Sequence, residues 1–178
     1  MEQEIRDRFG SVVCAIRRQG ADYGRSDQGG GRSIQVEFVS ANPNGPLHVG
    51  HGRAAALGDA IARLLEWTGW RVSREYYIND TTNGTQMVNF GRSLLVRYQQ
   101  ALGGDVPMPE DGYEGEYVAE LAAGIVAREG DRYLAYPEHE AAHLFTEMAL
   151  AEMLAQQRAD LARFGVRFDT WFSEESLH

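Results

Sequence analysis

Val36-Glu-Phe-Val-Ser-Ala-Asn-Pro-Asn-Gly-Pro-Leu-His-Val-Gly-His51 is the stretch on which the fold turns. Ile34 to Val39 is a run of β-formers that suits a short buried strand. Pro43 and Pro46 forbid its continuation, because each lacks an N–H for the ladder. From Gly50 to Trp67 strong helix formers take over, with apolar residues at helical spacing. The order is therefore strand, loop, helix. In parallel α/β sheets ligands gather at that junction, where free N–H groups and the positive dipole end of the helix meet the carboxyl edge of the sheet. His48 and His51, three apart, can turn both imidazoles into one crevice there. Two ring donors beside a helix N-terminus suit a phosphate whose charge grows during a reaction, while Gly50 and Gly52 leave the backbone open to a flat ring or sugar. Glu37, expected to be buried at the strand end, calls for a cationic partner. The plainer reading is that the histidines only cap the helix and Glu37 pairs with an internal arginine.

Working outward, Gly69 ends the helix, and Trp70 to Ile78 alternates as a second strand. Strand, helix and strand make a right-handed parallel unit, which brings Asn79-Asp80 to the same sheet edge as the histidines, either as an Asx-turn or cap or as a ligand contact. Upstream, Met1 to Gln19 carries Ile5, Phe9, Val12, Val13 and Ile16 at spacings of three and four, an amphipathic helix stopped by Gly20. Cys14 on that face reads as a small core residue. Tyr23 to Ser33, with Gly24, Gly29, Gly30 and Gly31, reads as a mobile loop; no Lys-Ser/Thr follows, as a phosphate-cradling P-loop would require. Residues 1–33 thus form a helix and Gly-rich loop ahead of an α/β unit over 34–178. Downstream come a helix from Asn83 to Leu102, a Pro-containing loop over Asp105 to Gly115, and a helix from about Tyr113 to Arg128. A long helix follows from Pro137 to Phe164, with Ala141, Leu144, Phe145, Met148, Met153, Leu154 and Leu161 as its apolar face, and then a strand over Val166 to Phe172. Such a sheet keeps an open edge, which invites self-association.

Length and composition set bounds on function. A chain of 178 residues, 43% hydrophobic, buries one sizeable core. No apolar run reaches the roughly 20 residues that span a bilayer, and the first segment lacks the form of a signal peptide, so a soluble cytoplasmic protein without membrane contact is expected. The net charge of -9 argues against a broad nucleic-acid surface, although a local contact is compatible with it. All 17 basic residues are arginine.

The stretch Glu37 to His51 resembles the long form of the "HIGH" signature of class I aminoacyl-tRNA synthetases, and specifically that of arginyl-tRNA synthetases. Arg74-Glu-Tyr-Tyr-Ile-Asn-Asp80 with Gln86-Met87, Glu116-Tyr-Val-Ala-Glu-Leu-Ala122 and Phe164-Gly-Val-Arg-Phe-Asp-Thr-Trp-Phe-Ser-Glu174 are similar to the same family, so the likeness covers nearly the whole chain. The resemblance implies the first half of a Rossmann-like, HUP-type catalytic domain, a partial parallel sheet flanked by helices with a helical insertion. It implies arginine–tRNA ligase chemistry: ATP as substrate, accompanied by Mg2+, with L-arginine and tRNA as partners and no tightly bound cofactor. His48 and His51 would be catalytic; Ala41, His48, Gly50, His51 and Gly52 would meet ATP; Glu37, Ser40 and Asn42 would meet arginine. The family's second signature, Lys-Met-Ser-Lys-Ser, its guanidinium-selecting Tyr and Asp positions and its tRNA-binding domains do not occur in these residues. A silent truncated paralogue or nucleotide-binding module is therefore the alternative.

Two motifs point elsewhere. His139-Glu140-Ala-Ala-His143 fits the zinc-protease pattern, two histidines one turn apart with a glutamate base. Thr146 and Ala149 stand where the extended pattern has Gly and a third His, and only Glu174 or Glu175 offers a distant third ligand, so the expectation is a solvated helix face and no metal. Gly50-His-Gly-Arg-Ala-Ala55 matches a dinucleotide fingerprint, but its first glycine should follow the strand directly, and here a loop with two prolines intervenes.

Overall fold

A computed structural model describes residues 2–81 and 84–177, with side chains from residue 9 onward. In chain order it forms α1 (Glu2–Gln19), β1 (Ser33–Glu37), α2 (Val49–Trp67), β2 (Arg71–Ile78), α3 (Thr85–Ala101), α4 (Glu116–Glu129), α5 (Glu138–Phe164) and β3 (Thr170–Ser173). The strands are parallel in the order β1-β2-β3, with Glu37 opposite Glu75 and Glu75 opposite Thr170. β2 is the central strand, and the helices α3 to α5 are inserted between it and β3. Met1 and Asn83, expected as helix starts, and the side chain of Ile5 lie outside the described residues.

Sequence explains how α2 docks. It buries Ala55, Gly58 and Ala62, small residues one or two turns apart, so the helix backbone approaches the sheet closely. On β2 the buried residues Tyr76 and Ile78 alternate with more open ones, as period two requires. They join Ala41, Ala55, Leu161 and Val166 in a core that Phe38, Phe168 and Trp171 cover; Tyr76 stacks on Trp171 with centroids 4.2 Å apart. A second core lies within the helical layer, where Phe90, Leu94, Tyr98, Val118, Ile125, Phe145 and Met153 are all 1% exposed or less. Burying each large apolar side chain contributes about 1.5–3 kcal/mol, so this cluster holds the three helices as one unit. Among the described residues no helix is long and apolar enough to cross a membrane.

Several boundaries and environments differ from the sequence reading. β1 ends at Glu37 rather than at 39, because Val39 and Ser40 take left-handed φ values of 68° and 41°. A β-branched residue there is strained, so neighbours must hold this turn. The last strand is Thr170–Ser173, shorter than Val166 to Phe172, and α4 begins at Glu116, later than Tyr113. The α1 helix forms, but its stripe does not reach the core: Phe9, Val12, Val13 and Ile16 are 67%, 45%, 51% and 42% exposed, and Cys14 is exposed rather than a core residue.

The Gly-rich loop, expected to be mobile, is docked on the α2–β2 turn. Gly29 N–H donates to Thr68 O at 2.8 Å, Gly31 N–H to Gly69 O at 2.9 Å, and Trp67 Nε1–H to Tyr23 O at 3.3 Å. A side chain on Gly29 would stand 2.5 Å from Trp70 N, so this approach requires glycine.

Candidate functional site

The residues singled out in the signature converge at the carboxyl edge of β1 and β2. His48 caps α2 in an extended conformation, its Nδ1 accepting the Gly50 N–H at 3.1 Å, and His51 Nδ1 accepts the His48 N–H at 3.3 Å. The two rings lie 3.8 Å apart, 24° from parallel. The capping reading is thus correct, and it also has a chemical consequence. A neutral ring that accepts at Nδ1 carries its proton on Nε2, so both histidines keep an Nε2–H donor free of the helix. Loss of hydration, and secondarily the charge of His48, lower the His51 pKa from the ordinary 6.5, which favours that neutral donor form at pH 7. Gly50 permits the arrangement, since a Cβ there would stand 2.8 Å from His48 Cε1. At Gly52 an added Cβ would meet nothing within 4 Å, so no contact within the chain demands glycine there.

Beside the histidines, Glu37 is exposed, not buried, and among the described residues it forms no ion pair. It accepts a 2.8 Å bond from Ser40 Oγ, which in turn accepts Tyr77 N–H at 3.1 Å. The strand edge is open here, so the carboxylate needs no arginine to offset burial. Tyr77 is pushed up from its ordinary pKa, first by lost hydration and then by the negative charges of Glu174, Asp80 and Glu37. Asp80 is buried and accepts Glu175 N–H at 3.1 Å, a structural bond that ties the segment after β3 to β2.

The loop itself is held from the helical layer. Asn42 Nδ2 donates to Gln86 Oε1 at 3.0 Å, Asn44 Nδ2 to Tyr113 Oη at 2.9 Å, and Tyr117 Oη to Asn44 O at 2.8 Å. Ala41 is buried, with its N–H bonded to Tyr76 Oη at 3.1 Å, and so offers no free amide to a ligand. Gln157 Nε2 donates to Asn42 O at 3.2 Å and Gly45 O at 3.0 Å. Asn42, Asn44, Asn79, Thr81 and Gln86 help line a cavity of about 220 Å³ next to the loop. Sequence reasoning missed Gln157 and Tyr76. The available signal was a polar letter in the four-residue row Ala141, Phe145, Ala149, Met153, Gln157, Leu161, every member of which is buried.

The rival motifs do not assemble. The side chains of His139 and His143 are 82% and 62% exposed, and His143 lies 3.5 Å from Glu147 on the same helix, as a solvated face predicts. Arg74, in the first of the three later stretches, points away from the loop and grips Glu66 at 2.7 Å and Asp59 at 3.6 Å, tying β2 to α2.

Comparison with known proteins gives a consistent answer. The family described as "tRNA synthetases class I (R), catalytic domain" matches residues 13–106. Curated relatives named arginine–tRNA ligase include those of Syntrophotalea carbinolica, 50% identical over 94% of this chain and 30% of the relative, and Heliobacterium modesticaldum, 50% identical over 94% and 29%. The chain therefore spans about 30% of the length of the curated relatives it matches. A solved structure from Campylobacter jejuni, provisionally assigned as an arginyl-tRNA synthetase, superposes with a TM-score of 0.79 at 30% identity over 94% of this chain and 36% of that one. The arginyl-tRNA synthetase of Thermus thermophilus does so with 0.51 at 28% identity over 92% and 27%. The signature loop, the parallel sheet around it and the match over residues 13–106 agree: the chain belongs to the class I arginyl-tRNA synthetase family.

Proposed function

We propose that this chain supplies the ATP-binding and arginine α-group-binding part of an arginine–tRNA ligase. One observation carries the reading: two stacked histidines at the start of α2 turn their Nδ1 atoms to backbone N–H groups of the cap and leave two Nε2–H donors free of the helix. In the reaction, an arginine carboxylate oxygen attacks the α-phosphorus of ATP, the bond to the bridging oxygen breaks, and pyrophosphate leaves with its electron pair. The terminal ribose hydroxyl of tRNA then attacks the arginyl carbonyl, and AMP departs. ATP enters as its magnesium complex. Such chemistry depends on positioning and on stabilising charge at phosphorus. His48 and His51 would donate to the phosphoryl oxygens as negative charge builds, and loss of one such donor costs about 10²–10³ in rate. Gly50 and Gly52 admit the nucleotide to the helix start, with Ala41 lying beneath it as a buried apolar contact. Glu37, Ser40 and Asn42 meet the α-ammonium and carboxylate of arginine. Their setting suits a cation, because Glu37 is exposed and unpaired by any cation among the described residues, and, after lost hydration, the negative charges of Glu174, Asp80 and Glu37 all raise the Tyr77 pKa.

An NMR titration of the His48 and His51 ring protons with ATP and with a non-hydrolysable arginyl-adenylate analogue tests the assignment. Both histidines shift if the reading is right, and if neither ligand perturbs either ring it is wrong. Because the chain spans only part of its relatives, arginine-dependent release of pyrophosphate, measured with tRNA present, separates an active unit from a silent nucleotide-binding module. Among the described residues neither β1 nor β3 has a strand on its outer side, an arrangement that favours self-association, and sedimentation across a concentration series tests for it.

A further inference from the structure

Gln157 is 0% exposed in the apolar row of α5, a costly place for an amide unless every polar atom is used. All are used: both hydrogens of Nε2 go to the signature loop, at Asn42 O and Gly45 O, while Oε1 accepts the Oη–H of Tyr76 on β2 at 2.9 Å. Tyr76, also 0% exposed, accepts Ala41 N–H at 3.1 Å and lies 3.2 Å from Ala41 O. Together these two side chains bind the backbone of the loop at both ends, Ala41–Asn42 and Gly45, with Pro43 fully buried between them.

The grip acts where the backbone needs it. Val39 and Ser40, immediately upstream, hold left-handed conformations that no regular element supports. Immediately downstream lies the cap that orients both histidines. The contacts come from far away in sequence: Tyr76 on the central strand, Gln157 near the end of a helix of the inserted layer. Two tyrosines of that layer meet the same loop at Asn44, Tyr113 at its side chain and Tyr117 at its carbonyl, and leave Ala41, Asn42 O and Gly45 O to this pair.

We propose that Gln157 and Tyr76 form a positioning pair, which touches no substrate but fixes the Ala41–Gly45 backbone so that the flanking groups, Ser40 and Asn42 on one side and the two histidines on the other, meet an aminoacyl-adenylate in register. The inference rests on the function proposed above. It also couples α5 to the site: a displacement of this helix reaches the loop directly through Gln157.

Binding of an arginyl-adenylate analogue to the chain, measured by calorimetry for the unaltered protein and for Gln157→Met, Gln157→Glu and Tyr76→Phe, tests it. Gln157→Met keeps the volume and apolar character of the row while removing both donors, and affinity should fall about tenfold or more with a cooperative thermal transition retained. Gln157→Glu keeps the shape and adds a switch. As a carboxylate it faces two carbonyl oxygens and can donate to neither, whereas protonated it regains one O–H donor. Tyr76, whose burial pushes its phenol up to about 12, stays protonated throughout, so it does not confound the titration. Affinity of Gln157→Glu should therefore be weak at pH 8 and recover at pH 5.5 relative to the unaltered chain at each pH, a recovery that a merely structural defect would not show. Unchanged affinity in Gln157→Met, or an affinity of Gln157→Glu that follows the unaltered chain at every pH, overturns the inference alone. Absence of analogue binding to the unaltered chain overturns the proposed function and this inference with it.

Discussion

At the scale of residues, each of the two histidines spends one nitrogen on the backbone. His48 and His51 would otherwise interconvert between tautomers, and the cap selects the one that presents Nε2–H. The same packing bears on the protonation of His51. His51 sits below its ordinary pKa of 6.5 mainly through lost hydration, and secondarily through the charge of His48. Its NMR titration midpoint in the free chain should accordingly lie below 6.5, and His48→Ala should raise it without restoring it fully, since desolvation is the larger cause. A midpoint at or above 6.5 would contradict the packing described. The stability consequence follows from linkage: between the folded and unfolded pKa values the unfolded chain binds more protons, so stability is lost as pH falls below about 6.5 and is unaffected above it. An anionic phosphate bound at the rings acts in the opposite sense and favours the imidazolium form, so the ATP-bound midpoint should move up.

At the scale of elements, what sequence revealed and what it hid divide by range. The β1–α2–β2 unit was legible because its signals are local: prolines at 43 and 46 break the strand, Gly69 ends the helix with a φ of 87°, and β-formers alternate up to Ile78. The candidate site residues from Glu37 to Gly52 could be named together for the same reason, although the exposure of Glu37 was not legible, because β1 has a neighbour on one side only among the described residues. Contacts made across long stretches of chain were hidden. Gln157 was one, being a polar residue whose partners lie 81 to 115 positions earlier. The stripe of α1 was another, because helical spacing shows amphipathicity but not whether a partner covers it. The Gly-rich loop was the third, since glycines between polar residues look alike whether they confer freedom or close approach. That difference is measurable. In Gly29→Ala the new methyl group meets Trp70 N and the Gly69 carbonyl, both backbone atoms that cannot swing aside. The loop should leave the turn, lose its bonds to Thr68 and Gly69, and lower the stability read from urea unfolding by about 1–3 kcal/mol. Equal stability would mean that the loop is free after all.

At the scale of the whole molecule, two cores share one helix. Phe145, Ala149 and Met153 of α5 belong to the helical layer, while Leu161 on the same helix belongs to the sheet core and Gln157, between them, grips the signature loop. A rigid helix anchored in both cores should transmit a loss of packing from one to the other. Phe145 is the best place to apply it, being fully buried against Tyr98 and Tyr133 with ring centroids 5.0 and 5.5 Å away. Phe145→Ala should cost about 3–5 kcal/mol through lost burial and the cavity left behind. If the layers are coupled, native-state hydrogen exchange should then quicken not only in α3, α4 and α5 but also at the Ala41 amide, whose bond to Tyr76 depends on Gln157 being in place. If exchange quickens in the helices while Ala41 keeps its protection, the layers open separately and the loop is held by β2 alone. The Gln157→Met variant provides the reference, since it cuts the connection directly: its effect on Ala41 should equal or exceed that of Phe145→Ala while the helical core stays protected.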